Sequence, residues 1–395
     1  MDPHSPVKVV FDYLYALLAT PWLLIHFHWD LLLCLPPWTR PGKAWTLNQA
    51  ARMRVVKLVL HYWSITHAGD RLHLRPGSER NRFEAIKPAA AKVYQGALAD
   101  PDIRPAPIGL TWTPARPPPA QLVKPELTLC LHFHGGGFAI GNGRDSDTGY
   151  LSRTLLKHMG CTHVCTPQYR LSSSRGGRFP APVQDALTSY LYLTRDRGIP
   201  SSQIILSGDS AGANIALGLL RYIHEHGEAL EIPAPRAVAL WSPWVHVGAA
   251  ITQDMRMSPN YRTDYLNKEF GRWGALSVSG SMAVDPEGPY LSPLHHPFKL
   301  DGDDIPMFVH GGNAEVLYDD IKAFAEIYGK LGWNVRLSVA DDAPHDILLL
   351  GPRIGFGRQA EEGAAEAGRF FAGTTKLNLR VDSKFVRSQK LAMLR

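Results

Sequence analysis

The pattern of apolar and polar positions divides this chain into three regions: an apolar opening, a polar and proline-rich bridge, and a long stretch of short apolar runs alternating with helical patterning. Residues from about Val7 to Trp38 form the most apolar part. Its core, Tyr13 to Ile25, is interrupted by Pro21 and resumes at Leu31 to Leu35 after His26, His28 and Asp30. A membrane-crossing helix wants about 20 predominantly apolar residues, so this segment reads as too broken for one. Asp2 and Asp12 stand where a secretory leader carries basic residues, and no small-residue cleavage site follows. Two readings stay open: a membrane-associating or signal-anchor segment, and an amphipathic cap packed over a functional site. If it anchors, the basic residues behind it (Arg40, Lys43, Arg52, Arg54, Lys57) keep the rest of the chain cytosolic. The expected location is cytoplasmic or membrane-associated, the endoplasmic reticulum included, rather than secreted.

Ala51 to Thr66 is helical in pattern, with Val55, Leu58, Val59 and Tyr62 recurring on one side. Pro101 to Pro125, with Pro117, Pro118 and Pro119, predicts irregular edge strands and turns. Strands are then expected at Leu127–Phe133, Thr162–Thr166, Gln203–Ser207, Ala237–Trp241, Met307–His310 and Val335–Val339. Helices are expected at Asp185–Arg195, Ala211–His224 and Asp319–Leu331. Alternation of this kind demands parallel pairing through right-handed crossovers, hence an α/β fold with a mostly parallel, doubly wound sheet. The alternation lapses between Trp244 and Tyr290, where Met255, Met257, Tyr261, Tyr265, Phe270 and Trp273 suit a mobile apolar lid.

Composition narrows the classes. Apolar residues make up 45% of the 395 and charged residues 20%, enough to bury a full core. The formal charge of +6 sits almost entirely in a tail from Thr374 to Arg395, where six basic residues face one acid, Asp382. The body is close to neutral and offers no nucleic-acid footprint. The tail reads as a solvated end, with contact to an anionic membrane as the other reading. Four cysteines make no disulfide framework at this length, and Cys130 lies in an apolar run where a thiol acts as a small hydrophobe. Cys161 and Cys165, with His158 and His163, lack the spacing of a zinc site, and no metal or organic cofactor is expected.

Two motifs carry chemistry. Gly208-Asp209-Ser210-Ala211-Gly212 follows an apolar strand and opens a helix. A nucleophile needs an exposed hydroxyl on rigid backbone, and a strained strand-to-helix turn supplies both. His134-Gly135-Gly136-Gly137-Phe138 follows another strand. Glycines permit the dihedrals and the close approach that backbone N–H donors need around a developing oxyanion. The expected donors are the N–H groups of Gly135, Gly136 and Ala211. His134 is expected to brace the loop, with Gly137 beside it, and Asp209 to make a structural contact rather than act as an acid.

HGGGF, GDSAGAN and their order resemble the hormone-sensitive-lipase-like branch of the α/β hydrolases, from about Leu127 to Leu349. Tyr169-Arg170-Leu171, Phe179-Pro180-Ala181-Pro182 with Asp185, Trp241-Ser242-Pro243 and Leu291-Ser292-Pro293-Leu294 belong to the likeness. Ser172 to Arg178 departs from it, since SSSRGGR replaces an acidic, proline-containing stretch. The apolar N-terminus also resembles fungal steryl-acetyl-hydrolase-type esterases. The resemblance implies an α/β-hydrolase fold with a helical cap and a triad in the order serine, acid, histidine. His345 in Ala343-Pro344-His345-Asp346 occupies the family's histidine position. Glu315 occupies the acid position, where the family more often has Asp, and Asp319 is the reserve. The implied organisation is an N-terminal segment and cap over 1–75, a catalytic domain over 76–373 with a cap insertion at about 244–290, and the basic tail over 374–395.

The expected function is hydrolysis of a small-molecule carboxylic ester through an acyl-enzyme on Ser210. A short acyl ester of a hydrophobic alcohol, such as a sterol or secondary metabolite, suits the apolar cap. Acyl transfer, lyase or cyclisation chemistry on the same scaffold is the alternative, and a small-molecule receptor is a third class.

Overall fold

The structure is a computed structural model that describes residues 6–122, 124, 126–300 and 305–392. The expected basic tail falls, for its charged side chains from Lys376 onward, outside the described residues. The chain opens with helices α1 (Pro6–Cys34) and α2 (Leu47–Thr66), then strands β1 (Phe83–Ile86) and β2 (Ile108–Thr113) and a single turn, α3 (Pro119–Leu122). The alternating part follows as β3 (Leu129–Phe133), α4 (Asp145–Thr154), β4 (His163–Gln168), α5 (Ala181–Leu191), β5 (Ile204–Asp209), α6 (Ala211–Leu230) and β6 (Ala237–Trp241). Short helix α7 (Ala249–Thr252) and α8 (Lys268–Val278) interrupt it. It then closes with β7 (Met307–Gly312), α9 (Tyr318–Lys330), β8 (Val335–Ala340), α10 (Ile347–Ile354) and α11 (Gly357–Ala392).

The eight strands form one sheet in the order β1-β2-β4-β3-β5-β6-β7-β8. β1, β2 and β4 pair antiparallel, and every pair from β4 through β3 to β8 is parallel. This is the mostly parallel sheet that the alternation implied, in the α/β-hydrolase arrangement that the resemblance implied. β3, β5, β6 and β7 are buried along their whole length, as strands covered on both faces must be, which explains their near-continuous apolar composition. The antiparallel β1–β2 edge was not foreseen as a hairpin-like pair. It sits against the proline-rich stretch, where prolines remove ladder donors and blur the alternation.

α1 runs without a break through Pro21, contrary to the interruption expected there. Pro21 removes one backbone donor, but the hydroxyl of Thr20 donates to Ala16 O at 2.7 Å and occupies a carbonyl of the same turn. The helix is long and apolar enough over Val10–Cys34 to cross a membrane, by length and composition, and only 6% of its most apolar stretch is buried in the protein. It lies along α2, joined by Tyr62 Oη to Thr20 Oγ1 at 2.8 Å and, just past the end of α2, by His67 Nδ1 at 2.9 Å from Asp12 Oδ2.

α2 begins four residues before the periodic run. Thr46 and Gln49 form a reciprocal capping box that satisfies two N-terminal donors. Lys57 on α2 donates to Tyr261 O at 2.6 Å and Asp264 O at 2.9 Å, and burial lowers its pKa to about 8. His61 of α2 approaches Glu269 of α8 at 3.5 Å. α2 and the 244–290 segment therefore meet, and residues of both line a cavity near the C-terminal ends of the parallel strands, where open α/β sheets carry their sites.

Candidate active site

Ser210 stands between β5 and α6 with φ 49° and ψ −117°, a backbone conformation few L-residues adopt. Strain of this kind costs about 1–3 kcal/mol and persists only where surroundings enforce it. The flanking glycines show how. A Cβ on Gly208 would lie 2.3 Å from Gly212 O, and one on Gly212 would lie 2.0 Å from Phe133 O. The Ser210 N–H also donates to Trp241 O at 2.8 Å, tying the turn to the end of β6.

Ser210 Oγ lies 2.9 Å from His345 Nε2, and His345 Nδ1 lies 2.6 Å from Glu315 Oε2. All three residues are buried. Glu315 follows β7 and His345 follows β8, so the three side chains converge from the ends of three parallel strands. Asp319, the reserve acid, is exposed on the first turn of α9. The other oxygen of Glu315 accepts from the Gly312 N–H at 2.7 Å and from the Ser242 hydroxyl at 3.0 Å. Ser242 Oγ in turn accepts from the Asp346 N–H at 3.0 Å, so one hydroxyl fixes both the carboxylate and the turn behind the histidine. Ser242 entered only as part of Trp241-Ser242-Pro243 in the family likeness; its partners are distant in sequence and nothing local marks it.

Burial disfavours the charged form of His345, yet the hydrogen bond and charge of Glu315 more than offset it, and its pKa rises above the ordinary value. The cap also reaches the acid. Asn260 Nδ2 donates to Glu315 O at 2.9 Å, Thr263 Oγ1 to Ala314 O at 2.7 Å, and Val316 N to Asp264 Oδ2 at 2.8 Å. This bracing holds the loop for the longer Glu side chain.

The glycine loop lies against the nucleophile but differs from expectation at one donor. The Gly135 N–H donates to Asp209 Oδ2 at 2.7 Å, so it is committed to a buried carboxylate and not free to meet an oxyanion. The physical reason is spacing: a Cβ on Gly135 would lie 2.3 Å from Asp209 Oδ2 and 3.1 Å from Ser210 Cβ, and only glycine lets the two backbones close on that bond. Gly136, at φ 102°, lines the cavity, and Gly137, at φ 60°, follows it. The Gly136 carbonyl accepts from the N–H groups of Ala139 and Ile140, which closes the turn. His134 stacks on Tyr169 with centroids 4.3 Å apart, and its Nδ1 lies 2.7 Å from Gly135 O. The departing stretch after Leu171 braces the loop from behind, with Ser172 N donating to Phe138 O at 2.7 Å and Ser173 Oγ to Ala139 O at 2.6 Å.

Asp209 has a second partner that sequence reasoning missed. His132 Nε2 lies 2.7 Å from Asp209 Oδ1 with both residues fully buried, and His132 Nδ1 lies 2.9 Å from Ser207 Oγ. Burial works against the imidazolium, but Asp209 prevails and raises His132 to about 9. The motif's acid is therefore a structural ion-pair partner beneath the loop. Period-2 alternation puts His132 and Cys130 on the same face of β3, and that was the only available signal.

A cavity of about 320 Å³ opens onto Ser210 and His345. Its walls are mainly apolar: Val55, Val59 and Trp63 from α2, and Tyr265, Leu266 and Phe270 from the cap segment.

A family model described as the alpha/beta hydrolase fold matches residues 130–349. Over 252 residues the chain is 30% identical to an acetyl-hydrolase of Streptomyces hygroscopicus, an alignment covering 62% of this chain and 77% of that one. It is 26% identical over 245 residues to an esterase of Acinetobacter venetianus, covering 61% and 74%. A crystal structure of an esterase from the bacterial hormone-sensitive lipase family superposes with a TM-score of 0.58 at 23% identity, over 83% of this chain and 98% of that one, a likeness of fold.

Proposed function

The chain belongs to the alpha/beta hydrolase fold family, and from that premise we propose that it hydrolyses a short-chain acyl ester, with acetate as the leading acyl group, of a hydrophobic alcohol such as a sterol or secondary metabolite. The observation that carries this reading is the unbroken relay from Ser210 Oγ through His345 to Glu315, at 2.9 and 2.6 Å, facing an apolar cavity. His345 takes the serine proton as Oγ attacks the acyl carbon, and Glu315 holds the imidazole in the required tautomer and stabilises its cation. The N–H groups of Gly136, Gly137 and Ala211 receive the oxyanion, Gly135 being committed to Asp209. His345 then returns the proton to the leaving alcohol, and a water activated by the same imidazole releases the acid.

The substrate class rests on the pocket and on the acetyl-hydrolase likeness. A volume of about 320 Å³ is at the small end for ligand pockets, which span roughly 300–1,000 Å³. An acetyl group and one end of an apolar alcohol fill it, and a larger alcohol extends along Val55, Val59 and Trp63. The apolar face of α1 suits association with a membrane, where such alcohols dissolve.

A panel of p-nitrophenyl and sterol esters varying acyl length, run on the parent and on Ser210→Ala, tests the proposal. Hydrolysis that falls with acyl length and vanishes in the variant supports it. Equal rates in both proteins overturn the chemistry, and acyl products formed only with an added acceptor alcohol move the assignment to acyl transfer.

A further inference from the structure

Among the described residues, one group of three imidazole and carboxylate side chains lies close enough together to share an ion. His246 lies in the loop after β6 and is buried, Glu287 and His295 come from the segment between α8 and β7, and Asp320 stands on the first turn of α9. His246 Nε2 lies 3.0 Å from Glu287 Oε2, while His246 Nδ1 lies 3.4 Å from His295 Nε2 and 3.8 Å from Asp320 Oδ2. The two rings meet edge to face, centroids 4.3 Å apart at 88°, with a ring nitrogen of one pointed at a ring nitrogen of the other. Between two neutral imidazoles one such nitrogen donates, and between two imidazolium ions the contact is repulsive. A divalent cation satisfies both nitrogens as acceptors.

We infer that His246, Glu287 and His295, with Asp320 facing the same rings, form a site for a divalent transition metal, zinc being the best match. One ligand atom from each of His246, Glu287 and His295 already lies within 4.8 Å of the other two. Zinc holds imidazole nitrogen and carboxylate oxygen at about 2.0–2.2 Å, which sets neighbouring ligand atoms roughly 3.4 Å apart, so closure takes rotamer adjustment and not a rebuilt backbone. The donor set of two imidazoles and carboxylate, without thiolate, favours zinc and its first-row neighbours over soft copper(I) and over calcium or magnesium. Two carboxylates balance the dipositive charge.

The backbone is shaped around this cluster. A Cβ on Gly248 would lie 2.0 Å from Glu287 Oε1, so glycine there leaves the space the carboxylate uses. His296 Nε2 lies 2.8 Å from Glu287 O and holds the same residue by its backbone. His295 is exposed, which gives an ion a path from solvent. A bound ion joins three segments distant in sequence and anchors the loop that carries Trp244, whose backbone N–H donates to Ser210 O at 3.1 Å. The role is structural, and it is independent of the ester chemistry.

Tag-free full-length protein, stripped with a chelator and titrated with zinc sulfate against a chromophoric competitor, tests the inference. One equivalent of zinc bound at micromolar affinity or tighter, with a rise in melting temperature on addition, is the expected result. His295→Ala changes an exposed residue and leaves the fold intact; with His246→Gln it should weaken binding by at least tenfold and abolish the thermal shift. Sub-stoichiometric binding by the parent, or affinity unchanged in both variants, overturns it. Neither readout depends on turnover, so failure of the site and failure of the esterase assignment are separable.

Discussion

The backbone N–H of Gly135 donates to Asp209 Oδ2 over 2.7 Å, and this bond divides the glycine loop into a part held by the protein and a part open to substrate. The same carboxylate takes His132 on its other oxygen at 2.7 Å. Asp209 thus connects β3, the glycine loop and the nucleophile turn through one buried group. Replacing it with Ala leaves a buried imidazolium without its counter-charge and the Gly135 N–H without its acceptor, and removing one member of such a pair costs about 3–5 kcal/mol. Urea denaturation of Asp209→Ala should show a loss of that size, and Asp209→Asn, which keeps an acceptor for Gly135, a smaller one.

Glu315 and Asp319 are separable by substitution. Glu315→Gln removes the charge that orients His345 and should lower kcat on the order of 10⁴-fold, as loss of a triad acid does. Asp319→Asn, on the exposed turn of α9, should leave kcat within about twofold. Steady-state assays with a p-nitrophenyl ester decide between them, and the reverse pattern would transfer the acid role to Asp319.

The pH profile follows from His345. Glu315 raises its pKa above the ordinary value near 6.5, and catalysis needs the neutral imidazole. The acid limb of kcat/KM should therefore lie above about pH 6.5, with activity lost as pH falls through it. In Glu315→Gln the opposing effect of burial loses its main offset, with only the more distant charges of Asp264 and Asp209 left against it, and the limb should move to lower pH. A limb that moves upward or stays fixed would contradict this electrostatic account.

Ser242 donates to Glu315 and accepts from the Asp346 N–H, so Ser242→Ala leaves a buried N–H unsatisfied, at a cost of about 1–3 kcal/mol. The triad side chains stay in place but lose a support. The expected result is a reduced kcat with KM little changed, read from the same steady-state assays, together with a lowered melting temperature.

The apolar wall is open to a specificity test. Trp63→Ala should lower kcat/KM for esters of bulky alcohols by about tenfold, equivalent to roughly 1.4 kcal/mol. p-Nitrophenyl acetate, too small to reach that wall, should change by less than about twofold. Equal loss on both substrates would instead indicate a general destabilisation of the cap.

What could be read from the sequence depended on whether its cause was local. GDSAG and HGGGF are legible because the backbone itself demands glycine at Gly208, Gly212 and Gly135, where any Cβ would collide with neighbouring backbone or with Asp209. Strands β3, β5, β6 and β7 are legible because burial on both faces makes their apolar runs nearly continuous. The assignment of Gly135 as an oxyanion donor failed because three consecutive glycines look alike until the Asp209 carboxylate selects one. His132, Ser242 and the cluster around His246 were invisible for a related reason: each takes its meaning from partners on other strands or loops. The continuous α1 helix was missed because Pro21 signals a break, whereas Thr20 keeps the turn hydrogen-bonded through its side chain.

α2 supplies Val55, Val59 and Trp63 to the pocket, yet it lies before residue 130, where the family match begins. Part of the pocket wall therefore lies on a stretch of chain separate from the residues of the relay. Under selection, drift at the cavity-facing positions of α2 can change diet while leaving the relay's own residues untouched, and for an engineer the same partition makes those positions replaceable. Libraries confined to its cavity-facing positions would explore new alcohols while Ser210, His345 and Glu315 stay as they are.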